Sequence, residues 1–404
     1  MIAAALLFIF VRPAPALEIT PFYRLQVMGG QYFFAGSKGT LSGNAAGSVA
    51  PAMRFNDQWA LLPSVQSSYQ GTKQVKDIVG SGTMFQEQMD HRFSARAIYS
   101  PRGSRWRLKP NFSFKYEMLK ETRDESWGGG LFDYQKWCFG LEAEYLWREP
   151  FSWRFGADYY ELDFPNYSSL ESRAAFDFQG QSLARELVGA RVLDSQNLGL
   201  SLSVDGPVRE RLVLDGGLRM TLRRFPEQRV VDPVGSLTAT ARADVFTELN
   251  LSARMPADFN RGLRALGSLD LSLAYNSSNQ NNYDAANARY FGYYYNYGEL
   301  RLGPSLKVLA GPAARPVTTR FSFSWWQRRY PYRRVQDAAG VYGNGGLRAS
   351  GWMTDVSLSY PMARRLSLLV DLQYGQSASN QKFEQFYRYN YAVANYLFGF
   401  SYEY

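Results

Sequence analysis

Cysteine and histidine are nearly absent: Cys138 and His91 stand alone in 404 residues. A lone cysteine closes no disulfide within the chain, and no Cys/His cluster is present to hold zinc. No stretch of about 18 apolar residues occurs, which excludes membrane-crossing α-helices. Glycine-rich phosphate loops and serine-centred nucleophile elbows are missing too. Nor is charge gathered into blocks. Lys and Arg number 45 against 36 Asp and Glu, a formal net charge of +9. These residues are spread through alternating segments rather than collected in the tails or helices of a nucleic-acid binder. No metal, cofactor or nucleic acid is expected.

Aromatic residues are what the chain has in excess: 28 Tyr and 27 Phe raise their share to 16%. With 20% charged residues and 35 glycines, the composition is not that of a disordered chain. Residues 1–16, MIAAALLFIFVRPAPA, carry an apolar stretch from Ile2 to Val11, then Ala14-Pro15-Ala16, an A-x-A pattern. This reads as a secretory signal peptide cut near Leu17, with a buried N-terminal segment as the competing reading. No basic residue precedes the apolar stretch and Arg12 follows it, as expected if the true start lies further upstream. Residues 17–404 form the mature domain on this reading.

From Leu17 onward the hydrophobic period is two. In Arg105–Met118, Trp106, Leu108, Phe112, Phe114 and Tyr116 share one parity, and Arg105, Arg107, Lys109, Lys115 and Glu117 the other. Trp137–Trp147 and Arg211–Arg223 repeat the pattern, and Leu237–Met255 holds one parity throughout. Short turns fall at Asn56-Asp57, Pro101–Ser104, Arg148–Pro150, Asp205–Pro207, Pro256–Asn260, Gly311–Arg315 and Pro361–Arg364. Longer polar stretches lie between them: Gly36–Gly47, Gly71–Thr83, Lys120–Gly130, Asn166–Gln181, Phe225–Gly235, Asn276–Ala286, Pro331–Gly346 and Gln376–Lys382. Seven turns and eight loops predict an all-β, transmembrane, antiparallel up-and-down β-barrel of about 16 strands, in a range of about 14 to 18. Ser182–Val204 reads as one strand or two, and Leu237–Met255 has a potential break at Phe246–Glu248.

The C-terminus, NYLFGFSYEY, carries Tyr396, Phe398, Phe400, Tyr402 and Tyr404 on one face. Such a strand is expected to close the ring against a first strand near Ile19–Met28, with its aromatic face in lipid. The pattern resembles the C-terminal assembly signal of bacterial outer-membrane β-barrel proteins, porins among them. There a terminal aromatic is preceded by apolar residues at every second place. Tyrosine at the end, in place of the commoner phenylalanine, is a mild departure. The resemblance implies export through the secretory pathway, recognition by the barrel-assembly machinery and residence in the outer membrane of a Gram-negative-type bacterium. A soluble sandwich is disfavoured because about sixteen apolar faces would have to share one interior. A propeller would show a recurring blade signature, and none is found.

Catalysis has little to stand on. His91 shares the lipid-facing parity of Phe85, Met89, Phe93, Ala95 and Tyr99, an unsuitable place for a general base. Cys138 faces inward beside Glu142 and Glu144, which oppose thiolate formation. The expectation is a protein that is not an enzyme.

Function should lie on the inward parity. Its candidates are Arg105, Arg107, Lys109, Lys115, Arg211, Arg219, Arg223, Arg242, Arg254, Arg301, Lys307, Arg320, Arg328 and Arg365, with Glu142, Glu144 and Asp215 among the acids. Either these neutralise one another as ion pairs or they make an electropositive channel; both readings stand. Aromatics gather at one end of the strands: Tyr293, Tyr295 and Tyr297, read on Glu299's parity, Trp326, and Phe386–Tyr391. They suit an interfacial girdle or a saccharide platform. Asn166–Gln181 and Pro331–Gly346 are the candidates for a loop that narrows the pore. A barrel of this width leaves room for water. The first reading is thus a porin-like channel passing small hydrophilic, potentially anionic, solutes. Its rivals are an exporter or binder of an anionic polysaccharide, and a plugged structural or adhesive barrel. Oligomeric state is not legible.

Overall fold

The computed structural model describes residues 17–404 apart from 37, 76–83, 123, 149, 169–184, 210, 260–261, 285–286 and 384–388. The expected signal peptide lies outside the described residues.

Sixteen antiparallel strands close into one barrel. They are β1 Tyr23–Phe34, β2 Thr40–Val49, β3 Trp59–Gln70, β4 Glu87–Tyr99, β5 Trp106–Lys120, β6 Tyr134–Arg148, β7 Phe151–Asp163 and β8 Ser195–Arg209. The second half comprises β9 Leu212–Val231, β10 Leu237–Phe259, β11 Leu263–Ser278, β12 Tyr297–Ala310, β13 Val317–Gln336, β14 Tyr342–Pro361, β15 Leu366–Ser379 and β16 Tyr391–Glu403. Each strand pairs with its chain neighbour. The ring closes where β1 meets β16, from Arg24↔Glu403 to Phe34↔Val393. Closure leaves no unpaired edge, the condition hydrocarbon imposes on a spanning sheet.

Alternation fixes which side faces out. Leu25, Val65, Phe139, Leu251 and Phe398 are 55, 54, 57, 44 and 56% exposed, although each lies within a strand and is strongly apolar. Among the described residues no second layer of polypeptide covers this belt, which runs around the wall. A water-facing surface rarely carries so large an apolar patch, so lipid is its natural cover. The opposite parity is polar and lines the interior.

At the seam the two backbones come unusually close. A Cβ on Gly30 would lie 1.8 Å from the Tyr396 carbonyl oxygen, and one on Gly399 would lie 1.9 Å from that of Val27. Only glycine fits at either place. One end of the seam is fastened by Arg24 paired with Glu403 at 3.0 Å, and by the Tyr23 and Tyr404 rings stacked 4.7 Å apart. The Arg365 guanidinium sits 3.5 Å over the Tyr404 ring.

Several boundaries differ from the sequence reading. The first strand is shifted to Tyr23–Phe34; Glu18–Thr20 instead pairs with Ala52–Arg54. Gly36–Gly47 is mostly strand, since β2 runs through its small residues to keep their backbone groups bonded. Asp205–Pro207 lies inside β8, whose register shifts only after Pro207. Pro256–Phe259 continues β10, whose register with β11 is unbroken through Phe246–Glu248. Ser182–Val204 supplies one barrel strand, beginning at Ser195. Phe225–Gly235 and Pro331–Gly346 are not long loops. They are the tops of two tall hairpins, β9–β10 and β13–β14, whose strands run 20, 23, 20 and 20 residues. About 9–11 residues cross a bilayer, so these hairpins rise well clear of it.

Candidate functional site

The connection between β11 and β12, residues 279–296, is bound down onto the barrel rather than left free. Gln280 donates to the Arg229 carbonyl at 2.9 Å and Asn281 to that of Val231 at 2.8 Å. Tyr342 on the other tall hairpin donates to Asp284 at 2.7 Å. The loop therefore spans from β9 to β14. Below it, the turn Arg185–Leu187 of the β7–β8 connection inserts a carboxylate. Glu186, only 1% exposed, accepts from the Tyr295 hydroxyl at 2.8 Å and from Asn282 at 3.1 Å. Burial raises its carboxyl above the ordinary range, and its Oε2 has no hydrogen-bond partner.

Arg242 is the keystone beneath. It is 3% exposed. Its Nη2 lies 2.6 Å from Asp244 Oδ2, its Nε bonds the same carboxylate, and its Nη1 donates to Gln228 at 3.0 Å. The guanidinium lies between two rings, 4.5 Å from Phe225 and 4.2 Å from Tyr295. Under this group is a chamber of about 350 Å³ on the inner wall, lined by Tyr134, Lys136, Tyr160, Asn197, Arg223, Asn276, Tyr297 and Tyr330, among others. Lys136 stands 4.0 Å over the Tyr160 ring, and Arg223 lies 4.8 Å over Phe246 and beside the Tyr160 hydroxyl. Neither has a carboxylate at ion-pair distance among the described residues. The chamber wall thus carries three cations, Lys136, Arg223 and Arg242, against one carboxylate, Asp244.

The remaining inward candidates separate into two groups. Arg107 pairs with Glu144 at 3.3 Å, Lys109 with Glu142 at 2.8 Å, and Arg219 with Asp158 at 2.8 Å. Arg254 bonds Asp215, Lys115 bonds Glu117, and Glu299 holds both Arg301 and Arg328, the latter at 2.5 Å. Lys307 and Arg320 face inward without a carboxylate partner among the described residues, as do Arg92 and Arg96 of β4. Glu248, Asp270, Asp355 and Asp371 face inward with no cation at ion-pair distance among the described residues. Among the described residues, β4 to β9 therefore carry unpaired cations and no unpaired acid, whereas on β10 to β15 the unpaired acids share the wall with Lys307 and Arg320. Arg105, Arg211 and Arg365 lie outside the strands at the turn end, so strand parity does not place them in the lumen.

The aromatic candidates are redistributed as well. Tyr297 begins β12, faces inward and packs under Arg328 at 4.3 Å. Tyr295 lies in the loop before it, 5% exposed, and reaches the chamber through loop folding rather than strand alternation. Tyr293 is turned outward at 56% exposure, in a left-handed backbone conformation with φ of 54°, and packs on Tyr332. Trp326 faces inward on β13 but is not part of the chamber; its indole nitrogen abuts Gly351. Phe386, Tyr387 and Arg388 lie outside the described residues. Pro331–Gly346 cannot narrow the pore as a loop, because it is largely strand; most of Asn166–Gln181 is outside the described residues. The sequence reading missed Lys136, Tyr160 and Asn197. Lys136 and Tyr160 sit on inward parities and were legible there. It also missed Glu186, for which no periodic signal exists.

His91 points outward, its Nδ1 2.9 Å from Ser67 Oγ on β3. Two of the parts of a hydrolytic site are in contact there. They face the lipid side, and Asp90 beside them points inward to Ser68. Cys138 faces inward, partly exposed. Among the described residues no group of acids, histidine and cysteine is arranged to hold a metal.

Tyr396, Phe398, Phe400, Tyr402 and Tyr404 are all exposed on the outer wall, as the terminal pattern requires. The solved structural neighbours are bacterial outer-membrane barrels. One is a bacterial polysaccharide outer membrane secretin, 10% identical, covering 95% of this chain and 97% of its own, at a TM-score of 0.46. Another is OprB of Pseudomonas putida, 13% identical, covering 96% and 94%, also at 0.46. A third is the outer-membrane expressed OmpT of Vibrio cholerae, 11% identical, covering 98% and 100%, at 0.45. No family model and no curated protein matches. At such identities and scores the likeness carries nothing about what passes through this barrel.

Proposed function

We propose that the chain is an outer-membrane channel passing small hydrophilic solutes, with anions favoured at the loop end. The observation that carries this reading is the chamber wall, where three cations face one carboxylate that Arg242 already holds. A sixteen-strand ring is wide enough for an aqueous path, and the polar inward parity keeps it wet. Arginine supplies most of the inward positive charge, and its fixed fork suits carboxylates and phosphates. The exposed terminal aromatics are the surface we assign to recognition by the barrel-assembly machinery, and the outer belt to lipid.

Planar-bilayer recording tests the reading. Discrete conductance steps with a reversal potential on the anion side are expected. Replacing Lys307 and Arg320 together by glutamine should move that potential toward cations. Removing the matched pair Lys109 and Glu142 together should leave it in place. A silent barrel that conducts only after deletion of residues 279–296 would instead favour a plugged barrel or a gated exporter.

A further inference from the structure

We propose that the outer face of the second tall hairpin, β13–β14, binds the phosphate of a lipid headgroup in the outer leaflet. The site is on the lipid-facing wall and is independent of what passes through the lumen.

The first observation is a pair of like charges. The strand register sets Arg329 on β13 directly opposite Arg348 on β14. Both are exposed and share the outward parity of Trp325 and Trp352. Like charges directly opposite on an antiparallel pair repel. Neither arginine has a carboxylate at ion-pair distance among the described residues. Glu299, next to them in the ladder, faces inward and is held by Arg301 and Arg328. An anion from outside the chain relieves the repulsion, and two guanidinium forks suit a phosphate.

Height selects the source of that anion. A strand crosses the hydrocarbon in about 9–11 residues. Counted from Val317 and Pro361 at the turn end, the upper boundary falls at about residue 326 on β13 and about residue 352 on β14. Trp325 and Trp352, paired across the strands, stand there as an aromatic girdle does. Each arginine comes two outward positions later. Arg329 is folded back toward the membrane, its Nη2 donating to Gln327 Oε1 at 2.9 Å. Gln327 lies about 7 Å along the strand from Trp325, and the headgroup layer is about 5–8 Å deep. The guanidinium therefore stands at the level of lipid phosphates, not in bulk water.

There is also room. Gly298 of β12 faces Arg329 across the strand pair, and a Cβ there would meet nothing within 4 Å. The wall beside the arginine is open, so a headgroup can lie against it while its chains follow the apolar belt below. The first tall hairpin repeats the placement. Arg223-Arg224-Phe225-Pro226 on β9 matches Arg328-Arg329-Tyr330-Pro331 on β13, and the register shifts after Phe225 as it does after Tyr330. In both motifs the first arginine faces the lumen and the second faces the lipid side. Arg224, however, is opposed by Ala243, so the doubled charge belongs to β13–β14.

The test is native mass spectrometry of the full chain in detergent, with dioleoyl phosphatidate and dioleoyl phosphatidylcholine as probes. Two basic residues at a lipid surface should favour phosphatidate roughly thirtyfold, and raised salt should shrink the ratio. Arg329→Gln combined with Arg348→Gln should remove most of that preference. Lys307→Gln combined with Arg320→Gln takes the same charge from the inner wall and should keep it. Gly298→Trp, which fills the open wall and leaves the charge alone, should lower phosphatidate retention as well. Heat-modifiable migration on a gel reports whether each variant folds; should the outer double variant fail, Gly298→Trp and the salt dependence decide. Excess inorganic phosphate should leave the lipid in place. Displacement by it would make this an ion site and overturn the lipid assignment. Equal retention of the two lipids, or equal loss in the outer and inner double variants, would overturn the site.

Discussion

Replacing Arg242 by methionine should release the loop that covers the chamber while leaving the barrel closed. Methionine keeps the length and apolar stem of the side chain but none of its donors. Asp244, 2% exposed, would lose its charged partner, and Gln228 would lose the donor that fills its Oε1. Breaking a buried pair by removing one partner costs about 3–5 kcal/mol. Loss of the guanidinium from between Phe225 and Tyr295 removes about 1–2 kcal/mol of cation–π attraction. Water reaching Asp244 through the opened site returns part of this, so about 3–4 kcal/mol is the reasonable net. By the rule that about 1.4 kcal/mol is tenfold, amides of residues 279–296 should exchange roughly a hundredfold to a thousandfold faster. The cost stays local because the sixteen-strand hydrogen-bond ring does not depend on this group. Hydrogen exchange by mass spectrometry reads the loop, and heat-modifiable migration reads the barrel. Adding Asp244→Leu to Arg242→Met should recover part of the protection, since no charge is then stranded. Unchanged loop exchange in Arg242→Met would refute the keystone role. Loss of the folded barrel band would refute its local character.

Three further outcomes follow from other parts of the structure. Gly399→Ala puts a Cβ against the Val27 backbone and should sharply reduce the fraction of heat-modifiable barrel, whereas Gly298→Ala, where nothing lies within 4 Å, should not. Leu251→Arg on the outer wall should cost about 2–4 kcal/mol in a bilayer unfolding titration; Asn250→Arg, one residue away on the inner wall, should be tolerated, and equal costs would contradict the assignment of faces. Glu121, in the connection after β5, has its carboxyl pushed up to about 7, first by burial and then by Glu125. Because this shift is upward, its stabilising contribution is complete below the ordinary carboxylate range and is lost as pH rises through about 7. A carbon-13 titration of that carboxyl should show the raised midpoint, and the β5–β6 connection should be better ordered at pH 5 than at pH 8, with Glu121→Gln levelling the difference.

Most of the wall could be read from residues alone, and the reason is solvent. Where lipid touches a strand it demands an apolar side chain at every second place, so Trp137–Trp147 and Leu237–Met255 declare their facing, although β6 and β10 run beyond these bounds. Above the bilayer that demand ends while backbone pairing continues. Phe225–Val231 and Pro331–Gln336 therefore lose their alternation and read as loop although they are strand. Thr40–Val49 hid for a different reason, since its run of serine, glycine and alanine offers no contrast between faces. The chamber divides along the same line. Arg223, Arg242 and Tyr297 lie on strands and were found by parity. Glu186 and Tyr295 are brought in by loop folding, where no period operates. Tyr293, counted with them, is carried to the opposite surface by the left-handed turn. The pairing of inward charges was likewise beyond the sequence, because it depends on which residues the cross-strand register sets face to face.

The two tall hairpins are not placed symmetrically around the ring. Strands β1 to β3 run 12, 10 and 12 residues, against 20 or more for β9, β10, β13 and β14. The rim is therefore a parapet along one arc and a low sill along the other. A solute coming from outside meets a wall of strand on the parapet side and a lower edge of strand on the sill. Bulky visitors, such as a folded protein lying across the mouth, would rest on the parapet before reaching the aperture.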